Sequence, residues 1–120
     1  MGTSHKPPLI RTVNLEAGMP LVREALAQLD RELTLARQQG CAFVKFIHGY
    51  GSSGAGGDIR IAIQKRLREL QDQGAIRACI FGEDWSASDA QTWALLKSQP
   101  ALKADSDLGK RNLGITVVML

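Results

Sequence analysis

The stretch Phe43-Val-Lys-Phe-Ile-His-Gly-Tyr-Gly-Ser-Ser-Gly-Ala-Gly-Gly-Asp-Ile-Arg60 decides the fold. It opens with an apolar, β-branched and aromatic run that, together with the preceding Ala42, predicts a buried strand over 42–47. Five glycines between positions 49 and 57 then indicate a loop. A helical spacing follows at Ile59, Ile63, Leu67 and Leu70. A strand that enters a helix through a glycine loop presents free backbone N–H groups to an anion.

The glycine loop does not match the standard nucleotide-binding patterns. A Walker loop ends in Gly-Lys-Ser/Thr, whereas this loop ends in Gly57-Asp58-Ile59. Gly49-x-Gly51-x-x-Gly54 has the spacing of a dinucleotide-binding loop, but its third glycine does not open the helix. Asp58 is the residue predicted to cap the helix. The glycines alone therefore leave an anion-binding loop and a merely flexible loop as equal alternatives.

The composition predicts one small globular domain. The chain has 120 residues, of which 44% are hydrophobic, with a net charge of +3 and a pI near 9.1. This mild basicity is compatible with nucleic acid without indicating it. No apolar run approaches a membrane span and no secretory signal is visible, so we expect a cytoplasmic protein without a membrane partner. Cys41 and Cys79 lie in apolar runs without metal-ligand spacing, which predicts reduced core cysteines.

Four strands and three helices are predicted along the chain. Residues 1–8 are expected to form a disordered tail, and 9–120 a single domain. Strands are predicted over 9–15, 42–47, 76–81 and 114–120, and helices over 20–39, 58–73 and 88–98. The third helix lies within a long connection, 82–113, whose polar remainder is unusual in a compact domain unless it is functional or mobile.

This order of elements predicts a two-layer α/β sandwich. Strands separated by helices pair in parallel through right-handed crossovers, which applies to the first three strands. The last strand follows without a regular crossover and is expected to be antiparallel to a neighbour. The expected result is β-α-β-α-β-(α)-β, a four-stranded mixed sheet with both main helices on one face.

The central stretch resembles the small MutS-related (Smr) domain family. The family's hallmark is an apolar strand that ends in His-Gly-x-Gly, followed by a loop into Leu/Ile-Arg and a helix, as in Val44–Gly51 and Asp58–Arg60. The final strand, Gly114–Leu120, and the spacing of Glu24–Leu26 after the first strand are also similar. The resemblance covers Thr12–Leu120 apart from the long connection, which is longer than usual. It implies the fold of Smr domains and of the C-terminal domain of initiation factor three.

The resemblance implies nucleic-acid binding and, in many members, a metal-dependent nicking endonuclease or RNase activity. An active nuclease of this kind would use Mg²⁺ or Mn²⁺. His48, Gly49 and Gly51 match the His-Gly-x-Gly motif, and Arg60 matches the basic residue that opens the second helix. These four residues are therefore expected to contact nucleic acid, whether DNA or RNA.

The first strand departs from the family pattern. Family nucleases carry Leu-Asp-x-His-Gly there, whereas this chain has Val13-Asn-Leu-Glu-Ala-Gly18. Asn14 replaces the Asp, and it cannot act as a base and is a poorer ligand for hard metals than a carboxylate. Glu16 replaces the His and is able to act as an acid or base together with His48. The predicted catalytic pair is therefore Glu16 and His48, no metal ligand is assigned, and binding is expected with or without cleavage.

Four further residues are candidates for the binding surface. Tyr50 either covers the loop or stacks on a base, because an exposed aromatic beside basic groups suits single-stranded nucleic acid. Gln64 lies one helical turn after Arg60 and is near enough to the helix start to reach a phosphate. Lys110 and Arg111, just before the last strand, either extend a basic rim or are ordinary solvated charges.

The long connection supports a different hypothesis. Trp85 and Trp93 are predicted to be core or interface residues, so the connection is also a candidate docking segment for a protein partner. Lys45 is predicted to face solvent or a partner. The acidic residues are predicted to be solvated charges, because their spacing is irregular for a metal site: Glu83, Asp84, Asp105 and Asp107. The alternative function is thus a small-molecule or protein-interaction domain without nuclease activity.

Overall fold

The computed structural model describes residues 9–18, 20–50 and 56–120. The predicted tail, 1–8, and the part of the glycine loop that contains Gly51 and Gly54 lie outside the described residues. The strands are β1 (Ile10–Asn14), β2 (Phe43–Ile47), β3 (Ala78–Phe81) and β4 (Ile115–Met119). The helices are α1 (Val22–Gln38), α2 (Gly56–Asp72) and α3 (Ala90–Ser98), with short 3₁₀ turns at Gly82–Asp84 and Pro100–Ala104.

The four strands form one mixed sheet in the order β1-β2-β4-β3. β1 is parallel to β2, with Ile10 beside Phe43 and Asn14 beside Ile47. β4 lies between β2 and β3 and is antiparallel to both. The predicted four-stranded mixed sheet with an antiparallel last strand is therefore confirmed. The expected parallel pairing applies to β1 and β2, whereas β3 pairs with β4, because β4 is inserted between β2 and β3.

Both main helices pack on one face of the sheet, as predicted. Their apolar stripes are buried against side chains of β2 and β4, and the core of this layer includes Leu29, Leu33, Val44, Phe46, Ile63, Leu67 and Val118. α2 begins at Gly56, earlier than the predicted cap, so that Asp58 lies in the first helical turn. A carboxylate in that position is favoured by the helix dipole.

The connection between β3 and β4 covers the opposite face of the sheet. Its buried residues pack against side chains that β2, β3 and β4 present there; this second core contains Phe43, Ile80, Trp85, Leu96, Leu102, Ile115 and Val117. Each such side chain stabilises the fold by about 1.5–3 kcal/mol when it is fully buried. The connection therefore adds a layer to the predicted sandwich, although its sequence is mostly polar.

Lys45 is buried, so the prediction that it faces solvent or a partner is wrong. β2 is a central strand with both faces covered, which leaves the Lys45 side chain only 7% exposed. Its Nζ lies 2.9 Å from Asp105 Oδ1 and 2.7 Å from Asp107 Oδ2. Trp85 Nε1 donates to the other oxygen of Asp105 at 2.9 Å. We call Lys45, Trp85, Asp105 and Asp107 the Lys45 cluster. Its bonds hold the connection between β3 and β4 against the sheet.

The Lys45 cluster shifts the acid–base behaviour of its members. Burial acts to lower the pKa of Lys45, but the two carboxylates together raise it above its ordinary value. The hydrogen bond from Lys45 holds the pKa of Asp107 below its ordinary value. Asp105 and Asp107, which were expected to be solvated, are therefore ion-paired with a buried cation.

The two cysteines pack with the helical layer. Cys41 is buried and Cys79 half-buried, and both are free thiols. Burial raises the pKa of the Cys79 thiol, which disfavours its reactive thiolate form. None of the helices in the described part of the chain combines the length and the apolarity that crossing a membrane requires.

Candidate functional site

Several loops meet at one edge of the sheet, which we call the carboxyl edge. β1, β2 and β3 all end there, because β1 is parallel to β2 while β4 is antiparallel to both β2 and β3. β4 begins at this edge, and α1 and α2 also begin on this side. Open α/β sheets bind ligands outside the carboxyl ends of their strands. The carboxyl edge therefore contains most of the residues that the sequence singles out.

His48 is fully buried at the end of β2. Its Nδ1 lies 2.7 Å from the Gly49 carbonyl oxygen, which only accepts, so Nδ1 carries the proton. Nε2 then accepts a hydrogen bond from Thr116 Oγ1 of β4 at 2.9 Å. Burial lowers the pKa of His48 and favours the neutral ring. Both ring nitrogens are thus engaged within the protein, so that His48 joins β2 to β4, and its contact with a ligand stays a prediction.

Gly49 requires glycine for its backbone and for its close neighbours. Its φ is +73°, a left-handed conformation that side-chain-bearing residues rarely adopt. A Cβ built on Gly49 would overlap the carboxylate of Glu16. The backbone N–H groups of His48 and Gly49 both donate to the Gly114 carbonyl, at 2.9 and 3.1 Å. Gly49 thus lies tightly between the loop after β1 and the start of β4.

The loop after β1 is shaped by Asn14. Its Oδ1 accepts hydrogen bonds from the backbone N–H groups of Glu16, at 2.9 Å, and Ala17, at 3.1 Å. This turn brings the exposed Glu16 carboxylate against Gly49. The structure therefore brings the predicted residues Glu16 and His48 to adjacent positions, but only Glu16 is exposed.

Arg60 and Gln64 lie on the same side of α2. Arg60 Nη2 is 3.3 Å from Glu83 Oε2 and 3.4 Å from Oε1, and Glu83 belongs to the turn after β3. Arg60 Nε and Gln64 Nε2 are buried and have no hydrogen-bond partner among the described residues. A buried donor without a partner is uncommon because it loses its hydration without compensation. These two predicted residues therefore provide a pair of donors that the described part of the chain leaves unused.

The remaining predicted residues surround this edge. Tyr50 is exposed directly after Gly49. Lys110 and Arg111 are exposed in the turn before β4. Arg111 has a φ of 52°, and it lines a polar cavity together with Glu83 and neighbouring residues. The carboxyl edge thus includes every described residue that the sequence assigned to nucleic-acid binding.

Asn112 is a structural member of the site whose bonding partners sequence reasoning did not identify. Its Oδ1 accepts from the Gly114 backbone N–H at 2.9 Å, and its Nδ2 donates to Asp107 Oδ1 at 3.1 Å. Asn112 therefore links the Lys45 cluster to Gly114, whose carbonyl holds Gly49. The only sequence signal was an asparagine two residues before a glycine, which favours a turn but does not identify its partners.

One of three comparisons with known proteins supports the fold. The protein-family models and the curated proteins give no match. Among solved structures, the crystal structure of the Smr domain of Thermus thermophilus MutS2 matches with a TM-score of 0.57 and 25% identity, over 92% of this chain and 96% of that chain. The chain is an Smr-like domain. Since the match spans nearly all of both chains, the likeness extends beyond the glycine loop.

The long connection of the Smr-like domain presents its two tryptophans differently. Trp85 is fully buried and belongs to the second core, so it is not available to a partner in this arrangement. Trp93 is about half exposed on α3, where the Lys97 ammonium lies 5.9 Å from its ring centroid. A protein partner that docks on this connection stays a prediction, with Trp93 as its exposed aromatic residue.

The family resemblance implies Mg²⁺ or Mn²⁺, but the residues that the structure describes do not fit such an ion. Across 9–18, 20–50 and 56–120, no group of three His, Cys, Asp or Glu side chains converges to hold a metal. Glu83 is paired with Arg60, and both Asp105 and Asp107 are paired with Lys45. These carboxylates are already neutralised by cations of the protein, which makes them poor ligands for an added metal ion.

Proposed function

We propose that this Smr-like domain binds nucleic acid at the carboxyl edge. A phosphate would be held by Arg60, Gln64 and the start of α2, beside Gly49. The observation that carries the proposal is the pair of buried donors, Arg60 Nε and Gln64 Nε2, that lack partners among the described residues. Phosphate oxygens would satisfy both donors, and most protein–nucleic acid hydrogen bonds are of this kind. The family resemblance supports the same assignment.

The charges at this edge favour a short ligand over a long polyanionic one. The cations among the predicted binding residues are Arg60, Lys110 and Arg111, and the carboxylates of Glu16, Asp58, Glu83 and Asp84 lie at the same edge. Three contacts to a single strand give a slope of log K against log salt concentration of about −2, at about −0.7 per phosphate. We therefore expect a modest salt dependence and a short bound segment.

Tyr50 favours a single-stranded segment. Tyr50 is 58% exposed and directly follows Gly49, so a base adjoining the bound phosphate would find a stacking surface there. Stacking on an aromatic side chain contributes about 1–3 kcal/mol per base and needs an unpaired base. The proposed ligand is thus single-stranded DNA or RNA, held by few phosphates and by stacking.

Fluorescence anisotropy with labelled single- and double-stranded DNA and RNA tests this function. The single strands should bind more tightly than the duplexes. Arg60→Gln should weaken binding about tenfold or more, as loss of a charged hydrogen bond costs about 1.5–3 kcal/mol. Lys65→Gln removes the same charge from an exposed position of α2 and serves as the matched control. Absence of binding to all four ligands at low salt would overturn the proposal.

Cleavage is a second candidate function, favoured by the position of Glu16. Its exposed carboxylate lies against Gly49, next to the proposed phosphate, where it could take a proton from an attacking water or hydroxyl group. In this proposal His48 holds Gly49 in place and Glu16 is the base. Glu16→Gln should abolish cleavage while binding persists, and reactions with and without a chelator would show whether an ion contributes. Cleavage that survives in Glu16→Gln would exclude this role.

A further inference from the structure

We propose that Glu83 is an internal competitor of the nucleic-acid phosphate at Arg60 and thereby sets the affinity of the carboxyl edge. In the free domain its carboxylate would occupy Arg60, and an incoming phosphodiester would displace it. This inference rests on the proposed function, and it concerns a residue that the sequence assigned to no binding role.

The ion pair between Arg60 and Glu83 is geometrically incomplete. A single nitrogen, Nη2, faces both oxygens at 3.3 and 3.4 Å, whereas a bidentate pair places two nitrogens at about 2.7–2.9 Å from two oxygens. The Nε donor of Arg60 has no partner among the described residues. The side chains of Arg60 and Glu83 are 25% and 34% exposed, so water screens their attraction. Such a pair is easily exchanged for a better one.

A phosphate would use the donors that Glu83 leaves idle. Glu83 lies in the 3₁₀ turn after β3, and its carboxylate bonds to Nη2 of Arg60 but not to Nε. Gln64 Nε2 lies one turn along the same side of α2 and is also without a partner among the described residues. The oxygens of a phosphodiester can accept from Nε, Nη2 and Gln64 together. Release of Glu83 breaks its two hydrogen bonds with Arg60 Nη2, and the phosphate forms three in their place.

Neutralising Glu83 tests this competition. Glu83→Gln should tighten the binding of a single-stranded oligonucleotide about two- to five-fold, the range that corresponds to an exposed ion pair. Asp84→Asn is the matched control, because it removes the same charge from the next residue, which is exposed and makes no bond to Arg60 among the described contacts. Asp84→Asn should raise the affinity less, since it changes the electrostatic potential of the carboxyl edge without releasing Arg60.

A double-mutant cycle makes the test specific to Arg60. The gain in affinity from Glu83→Gln should disappear in an Arg60→Gln background, because there is then no guanidinium for Glu83 to pair with. Equal gains from Glu83→Gln and Asp84→Asn, or a gain that persists without Arg60, would overturn the role of Glu83 but leave nucleic-acid binding intact. Absence of binding in the wild type and in every variant would instead overturn the proposed function, and this inference with it.

Nitrogen-15 NMR provides a direct view of the same exchange. The Arg60 Nε–H resonance, assigned from its loss in Arg60→Gln, should shift when the oligonucleotide is added. In Glu83→Gln that shift should reach completion at a lower ligand concentration. A bound oligonucleotide that leaves the Arg60 resonance unchanged would show that the phosphate lies elsewhere, which would overturn the inference.

Discussion

Replacing Lys45 by Met tests whether the buried ion cluster holds the long connection on the sheet. Methionine has a similarly long and flexible apolar side chain, so the change removes the charge with little change in packing volume. The wild-type ammonium lies 2.9 Å from Asp105 and 2.7 Å from Asp107. In Lys45→Met both carboxylates remain close together without that neutralising charge.

The expected loss of stability follows from how far the two carboxylates are buried. Removing one partner of a buried ion pair costs about 3–5 kcal/mol, because the remaining charge stays desolvated. The Asp105 side chain is 8% exposed and the Asp107 side chain 21%, so water can rehydrate part of Asp107. We therefore expect the free energy of unfolding to fall by about 3 kcal/mol, at the low end of this range. In a domain of this size, that corresponds to a melting temperature lower by about 10 °C.

The loss should depend on pH. Lys45 holds the pKa of Asp107 below its ordinary value of 3.8. A lowered carboxyl pKa contributes stability that is complete above the ordinary value and disappears as the pH falls through the folded-state value. In Lys45→Met the hydrogen bond that lowers the pKa of Asp107 is absent, so the penalty should be largest near about pH 7 and shrink towards about pH 3.

Urea unfolding followed by tryptophan fluorescence measures both effects, since Trp85 belongs to the cluster. Lys65→Met is the control: Lys65 is exposed on α2, and its replacement should change stability by no more than about 0.5 kcal/mol. A penalty for Lys45→Met below about 1 kcal/mol at neutral pH, or one that is the same in acid, would refute the reasoning.

Three further predictions concern the carboxyl edge. A Cβ on Gly82 would overlap the Asn112 carbonyl and lie 2.9 Å from the Ile115 carbonyl oxygen, so Gly82→Ala should destabilise by more than about 2 kcal/mol in thermal melts. Gly57→Ala is the control: a Cβ there meets no atom of the described residues within 4 Å, so this change should be neutral or stabilising. Because the pKa of His48 is lowered, the free energy of unfolding should decline as the pH falls below about 6.5, and His48→Gln should remove that decline. Asn14→Ala should cost about 1 kcal/mol in urea unfolding, and Asn14→Asp, which keeps the accepting oxygen, clearly less.

The sheet and the helical layer were predictable because their signals are local. The apolar run before His48 and the spacing of Ile59, Ile63 and Leu67 each identify an element from its own residues. Gly49 was also identified from its motif, and its positive φ gives the physical reason for glycine there. Parallel pairing of β1 with β2 then predicts that the residues after the two strands meet at one edge of the sheet.

The partners of charged residues were not predictable in the same way. Whether Lys45 is exposed depends on what covers its face of β2, and the covering residues, Asp105 and Asp107, lie some 60 positions later in the chain. Arg60 was assigned to a phosphate, but its present partner is Glu83, 23 positions away. Periodicity carries no information on such pairs, because each side chain alone is compatible with a solvated surface.

His48 shows the same limit within the motif itself. A histidine at the end of a strand next to glycines suggested an acid–base group, and its geometry supports a different contribution. Its bond to Thr116 spans 68 positions and fixes the ring in a buried, neutral form. If the domain cleaves a phosphodiester, proton transfer then falls to Glu16, the exposed member of the predicted pair.

The carboxyl edge is connected to the far face of the sheet through one asparagine. Asn112 Oδ1 accepts a hydrogen bond from the Gly114 N–H, and Asn112 Nδ2 donates one to Asp107. The amide group therefore bridges the carboxyl edge and the Lys45 cluster. Gly114 in turn accepts hydrogen bonds from the backbone of His48 and Gly49. In Lys45→Met the two carboxylates repel each other without the ammonium between them, and a displacement of Asp107 would be transmitted through Asn112 to the turn on which Gly49 depends. For this reason Lys45→Met should weaken ligand binding as well as stability, although Lys45 lies on a buried strand and has no place in the proposed binding surface.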